Sequence, residues 1–187
     1  MKYAIFALCC AAGAAQADQY SEVMNSYARE TVQAWTSDPM LVNAIKSQNA
    51  RTGGLSQDQI DEMDRQWRNE VGMSDRPIVD PVLFNPVSDH LRNLVSGSAG
   101  AVTEVFIMDG KGLNVAASDA TSDYWQGDEE KFTETYAVGP DALHISNIEF
   151  DESTQTYQGQ ISMPISDPES GAVIGAMTVG LNAEMLF

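Results

Sequence analysis

The sequence predicts an α+β fold, with helices first and an antiparallel sheet after them. Three observations carry this. Apolar residues recur at spacings of three and four through the first hundred positions. The period drops to two after Gly100. Tight-turn sequences then separate the alternating runs.

In the first half, Tyr20, Val23, Met24, Tyr27, Thr31, Ala34 and Trp35 make one helical stripe. Asp38-Pro39 interrupts it, because the residue before a proline disfavours the helical region. Leu41, Val42 and Ile45 continue the pattern to Asn49, and Arg51-Thr-Gly-Gly54 breaks it. Ser56 with Gln59 reads as a capping box opening the next helix, with Ile60, Met63, Trp67 and Val71 on one face and Gly72 at its end. Residues 73–85, with Pro77 and Pro81, read as an extended connector. Asn85-Pro86 supplies the cap and first position of a short helix that carries Val87, Leu91, Leu94 and Val95 and stops at Gly97. The segment Ser96 to Gly100 lacks the lysine of a phosphate loop and the spacing of a nucleophile elbow, so it reads as a helix-to-strand turn.

Val102 to Met108 is an apolar, β-branched run suited to a central strand. Asp109-Gly110-Lys111-Gly112 turns it, and Leu113, Val115 and Ala117 alternate on the return. Leu143 to Phe150 is the third expected strand, with a turn at Asp151–Thr154. Tyr157, Ile161, Met163 and Ile165 alternate with Gln158, Gln160 and Ser162 in the fourth. Asp167 to Gly171 turns again, and Ala172 to Leu181 forms the fifth. The crossing between strands two and three, roughly residues 118–141, is long for a hairpin link, so it is expected to cover something.

The chain starts with Lys2, an apolar stretch from Tyr3 to Ala15, and the small-x-small triplet Ala15-Gln16-Ala17. This reads as a secretory signal over residues 1–17, too short to span a bilayer as a mature helix. The mature protein is expected to begin at Asp18, to be periplasmic or secreted, and to insert in no membrane after cleavage. Cys9 and Cys10 both lie in the leader, so the mature chain holds no thiol for a disulfide, a nucleophile or a metal. Cleavage removes one charged residue, Lys2, and the formal charge moves from −17 to −18. Such a surface excludes nucleic acid as a partner. It suits a salty medium and would enrich cations nearby.

The runs "VFIMDGKGLNVAASDATSDYWQGDEEKF" and "DESTQTYQGQISMPISDPESGAVIGAMTVGL" sharpen the fold. The strand, D-G-K-G turn, strand, D-Y-W-Q-G-D-E segment and G-A-M-T-V-G closing strand stand in the order of the Cache family, the extracytoplasmic PAS-like sensor domains, which this chain resembles over most of residues 38–182. "AIKSQN" and "LSQDQIDEMDRQWR" resemble the helical portion of such proteins. The resemblance implies a single domain, residues 18–187, with helices over 18–100 and a five-stranded antiparallel PAS-like sheet over 101–187. It implies a sensor of a small organic ligand: an amine, an amino acid or a carboxylate. Cache domains usually sit between two membrane helices of a receptor or kinase. This chain ends at Phe187 after the closing strand, so it is expected to be a free-standing module that passes ligand state to a partner such as a membrane receptor or kinase.

The stretch "SDATSDYWQGDEE", residues 118–130, holds five acids and two large aromatics. The resemblance sets this crossing beside the pocket. Tyr124 and Trp125 then supply flat walls, and Asp128, with Asp123, orients an ammonium or hydroxyl. In the competing reading the aromatics cap the core and the acids face water, as expected for Glu129 and Glu130. His144 opens strand three and either contacts ligand or is a half-buried strand residue. Tyr157 and Gln160 lie on opposite faces of strand four, and Tyr157 is assigned to the pocket. Should the ligand be a carboxylate, Arg76 or Arg92 would line its site instead.

Asp119, Asp123 and Asp128 are spaced four and five apart, unlike a calcium loop, so no metal site is expected, and no cofactor. Ser, His and Asp occur in no nucleophile motif, and the chain is not expected to be an enzyme. The function expected is a periplasmic small-molecule-binding sensory module. A structural or interaction domain of the same fold without ligand is the alternative, and a hydrolase comes third.

Overall fold

The computed structural model describes residues 10–151 and 155–186. The charged start of the expected leader and the centre of the turn expected at Asp151–Thr154 lie outside these residues. Helix α1 (Cys10–Tyr27) runs through the expected cleavage point at Ala17 and continues through a π-helical turn (Ala28–Val32) into α2 (Gln33–Trp35). Hydrogen bonds from i to i+5 widen that turn. The buried positions therefore step by four, at Met24, Ala28 and Val32, and Ala34 of the expected stripe faces solvent.

The other helices begin where their caps dictate. Asp38 accepts from the Met40 N–H (2.8 Å) and starts α3 (Pro39–Thr52). The Ser56–Gln59 capping box starts α4 (Gln57–Glu70). Asn85 Oδ1 accepts from the N–H groups of Val87 and Ser88 (2.9 Å each) and starts α6 (Pro86–Gly97). The extended connector expected over 73–85 contains a short helix instead, α5 (Val79–Leu83). Glu70, at the end of α4, organises it by accepting from the N–H groups of Ile78 (2.8 Å) and Val79 (3.1 Å).

The sheet is antiparallel throughout, as expected. Its strands are β1 (Val102–Met108), β2 (Asn114–Ala117), β3 (His144–Ile145), β4 (Glu149–Asp151), β5 (Thr156–Ser166) and β6 (Val173–Asn182), and the crossing carries a one-turn helix, α7 (Glu130–Thr133). The spatial order is β2-β1-β6-β5-β3, with β4 also paired to β5. The third strand is thus broken in two, and Ser146 supplies the reason. Its hydroxyl, in place of a ladder carbonyl, accepts from the Gln160 N–H (2.8 Å).

Each sheet face meets a different core. Val105, Ile107, Ile161, Ile165, Met177 and Val179 pack with Met24, Leu41, Ile45 and Leu91 of the helices. On the other face Phe106, Met108 and Ala176 belong to a second cluster with Trp67, Tyr124 and Phe132. The crossing runs beside the outer edge of β2. Leu113 and Trp125 form an antiparallel bridge, the Asn114 N–H donates to Tyr124 O (3.0 Å), and the Gln126 N–H donates to Gly112 O (2.8 Å). Gly112, at φ +80°, is required there twice over: a Cβ on it would lie 2.5 Å from Gly127 Cα of the crossing.

Candidate functional site

On β5, alternation sends Gln158, Gln160 and Ser162 to the face that also carries Phe106. Gln158 and Gln160 form part of a cavity of about 550 Å³. Glu104 of β1 fixes both amides by accepting from Gln158 Nε2 and Gln160 Nε2, each at 3.1 Å. Ser162 and Thr178 share a hydrogen bond (3.0 Å) on the same face, fully buried. The crossing supplies Asp128, Glu129, Glu130 and Lys131, and the broken third strand supplies His144, Ile145, Ser146, Asn147, Glu149 and Phe150.

Four carboxylates therefore line this cavity against one ammonium. That ammonium is committed: Lys131 Nζ lies 2.8 Å from Glu129 and 3.2 Å from Gln126 Oε1, and 5.6 Å from the centre of the Phe106 ring. The remaining acidic lining favours positive charge, and the glutamines and Ser146 offer hydrogen bonds to a polar ligand. Among the described residues no cluster of three His, Cys, Asp or Glu is placed to hold a metal ion.

The expected site residues fall in four places. His144 and Asp128 line the sheet-face cavity. Asp128 also borders a smaller one of about 420 Å³, which contains Asp123, Trp125 and the α4 residues Asp61, Asp64, Arg65 and Arg68. There Arg68 bridges Asp64 (2.7 Å) and Asp123 (2.8 Å), and the Trp125 indole donates to Lys111 O (2.8 Å). Tyr124 is in the core, 5 % exposed and stacked on Trp67 with ring centres 5.3 Å apart. Burial, then the nearby charge of Asp109, pushes its phenol up to about 12, against a smaller opposite effect of Arg51.

Tyr157, assigned to the pocket from the sequence, does not line the sheet-face cavity. It has the parity of Ile161 and Ile165, which pack towards the helices, and it projects beyond them, 56 % exposed and edge-on to Phe150. Gln160, the residue passed over, lines the cavity with Gln158. The polar alternation of Gln158, Gln160 and Ser162 was the available signal, since a strand facing a polar pocket alternates in that way. Arg76 pairs with Asp80 (2.8 Å) and Arg92 with Asp89 (2.6 Å), and neither lines the sheet-face cavity.

No protein-family model matches this sequence, and no curated protein matches it. Solved structures do match. The sensor domain of the V. cholerae histidine kinase DctB superposes with a TM-score of 0.50 at 13 % identity, over 94 % of this chain and 56 % of that one. The ligand-binding domain of the Campylobacter jejuni chemoreceptor Tlp3, in complex with 4-methylisoleucine, is similar at 0.44 and 13 %, over 86 % of this chain and 64 % of that one. That of the Pseudomonas aeruginosa PAO1 amino acid chemoreceptor PctC, in complex with GABA, is similar at 0.39 and 14 %, over 79 % and 60 %. The fold is α+β and PAS-like, shared with the DctB sensor domain, and this chain spans little more than half of that domain. No helix among the described residues is long and apolar enough to cross a membrane.

Proposed function

We propose that this protein is an exported sensory module that binds a small cationic or zwitterionic molecule on the face of its sheet and passes its ligand state to a partner protein such as a membrane receptor or kinase. The cavity under the crossing carries this reading. It has the size of a small-ligand site, two glutamines held in place by Glu104, and an excess of carboxylates converging from two chain segments. Asp128 and Glu149 receive the ammonium, Gln160 and Ser146 hydrogen-bond the polar remainder, and His144 lines the cavity beside them. The apolar start and Ala15-Gln16-Ala17 support export with cleavage before Asp18.

The test is a thermal-unfolding screen of the purified protein against amines, amino acids and carboxylates. A ligand specific to the folded state raises the midpoint by mass action, with about 2.7 kcal/mol of stabilisation at a hundredfold excess over its dissociation constant. Glu149→Gln is expected to weaken a cationic ligand and leave a neutral analogue unaffected. A screen in which carboxylates alone stabilise, or in which Glu149→Gln binds the amine as tightly as before, overturns this assignment. Mass spectrometry of exported material is expected to give an N-terminus at or near Asp18, and uncleaved cytosolic protein would contradict export.

A further inference from the structure

A third cleft, of about 660 Å³, opens between α3, residues 77–87 and β2, and shares no residue with the two cavities above. Its walls are apolar, with Met40, Met63, Ile78, Pro81 and Val87 among them. Two polar groups on it are unusual. Tyr124 lines it while 95 % buried, and the Tyr124 hydroxyl has no hydrogen-bond partner among the described residues. An unpartnered hydroxyl that reaches the cleft is free to donate to an acceptor placed there. Arg51 lines the same cleft. Its guanidinium donates to Ser47 O of its own helix (3.0 Å) and forms no ion pair among the described residues, although acids outnumber Lys and Arg by 27 to 10 in this chain. Arg51 is near enough to Tyr124 for its charge to act on the phenol.

We infer that this cleft is a binding site for a small molecule with an apolar body and a single carboxylate, held by Arg51 and the Tyr124 hydroxyl. The guanidinium offers the carboxylate a charge-assisted hydrogen bond, the phenol donates the second, and the methionine and proline walls take the body out of water. The Tyr124 phenol is protonated, and so a donor, at neutral pH. Lining chemistry separates this site from the acidic cavity on the sheet: the one selects an anion with an apolar tail, the other a cation.

Hexanoate is a suitable probe, with hexanamide as its uncharged counterpart. Hexanoate is expected to raise the unfolding midpoint of the purified protein saturably, with half-saturation at about tenfold lower concentration than hexanamide, a difference of about 1.4 kcal/mol. Arg51→Gln is expected to erase that tenfold preference while the protein stays folded, since Arg51 is at the cleft rim. Ala44→Phe, which fills the cleft from α3, is expected to abolish the response to both. Three results would overturn the inference: equal responses to acid and amide in the unaltered protein, which means an unselective apolar groove; a full response in a folded Ala44→Phe, which puts the acid elsewhere; or no response to hexanoate up to about 10 mM, beyond the range of a useful small-molecule site.

Discussion

Residue by residue, the crossing is held by atoms of α4 as much as by the sheet. Asp64, 6 % exposed, accepts from the N–H groups of Tyr124 (2.9 Å) and Trp125 (3.0 Å), and the Trp67 indole donates to Thr121 O (2.8 Å) while its ring stacks on Tyr124. Trp67→Ala is expected to cost about 3–5 kcal/mol, because it removes a fully buried ring and leaves a cavity. Chemical denaturation measures this directly, and a loss under about 1 kcal/mol would mean that the site collapses onto itself. Gly127→Ala is expected to loosen the crossing by another route, since its Cβ would collide with the Trp125 indole and press on Lys111 O. Fluorescence should report a more exposed Trp125 in that variant. Tyr124 sets the alkaline limit. Its folded pKa, about 12, lies above the unfolded value of about 10. The stability it contributes is complete below pH ~10 and is lost as pH rises through the folded value. Tyr124→Phe should flatten that alkaline limb of a stability–pH curve, and an unchanged limb would contradict the assignment.

Among the elements, the helices are tied down at their ends. Ser56→Ala breaks the capping box of α4 and is expected to cost about 1 kcal/mol by denaturant midpoint. At the other end of α4, burial would raise the pKa of Glu70, but the N–H donors of Ile78 and Val79, the Gln66 side chain and the charge of Arg76 outweigh it, and the net shift is downward. A depressed folded pKa contributes stability above the unfolded value, about 4.3, that is lost as pH falls through the folded one. Glu70→Gln should therefore flatten the acid limb, and a variant with the unaltered acid profile would show that Glu70 does not organise α5. The sequence spelled out the ends of β1 and the starts of α3, α4 and α6, because each rests on a cap, a proline or a change of period within four residues. It hid α5, a five-residue helix with Pro81 at its centre, whose order comes from a distant carboxylate. It hid the break at Ser146 as well, since a hydroxyl standing in for a carbonyl has no periodic signature. The acidic crossing could be singled out from Tyr124, Trp125 and Asp128, but Tyr124 goes to the core while Trp125 and Asp128 border a cavity against α4. The side that each faces depends on α4, whose contacts with the crossing span 54 to 61 residues of chain.

At the scale of the whole molecule, charge is the dominant feature. A formal charge of −17 on 187 residues repels itself. Raising sodium chloride from low concentration to about 0.5 M, where the screening length falls well below 10 Å, is expected to raise the unfolding midpoint. Sodium sulfate at equal ionic strength separates screening from solute exclusion; a midpoint that falls with sodium chloride would show that attractive pairs such as Lys46–Asp167 and Arg68–Asp123 outweigh the repulsion. The same charge makes cations the molecules met most often at the sheet-face cavity. The bridge between Leu113 and Trp125 has a different kind of consequence. Chains that polymerise strand against strand must each offer two complementary borders, one to receive a neighbour and one to pass the array on. Here the start of one border, at residues 112–114, is occupied by residues 124–126 of the same chain, and the other is interrupted at Ser146. A strand added at the first border would have to displace residues 124–126 first, which sets a cost on array growth there.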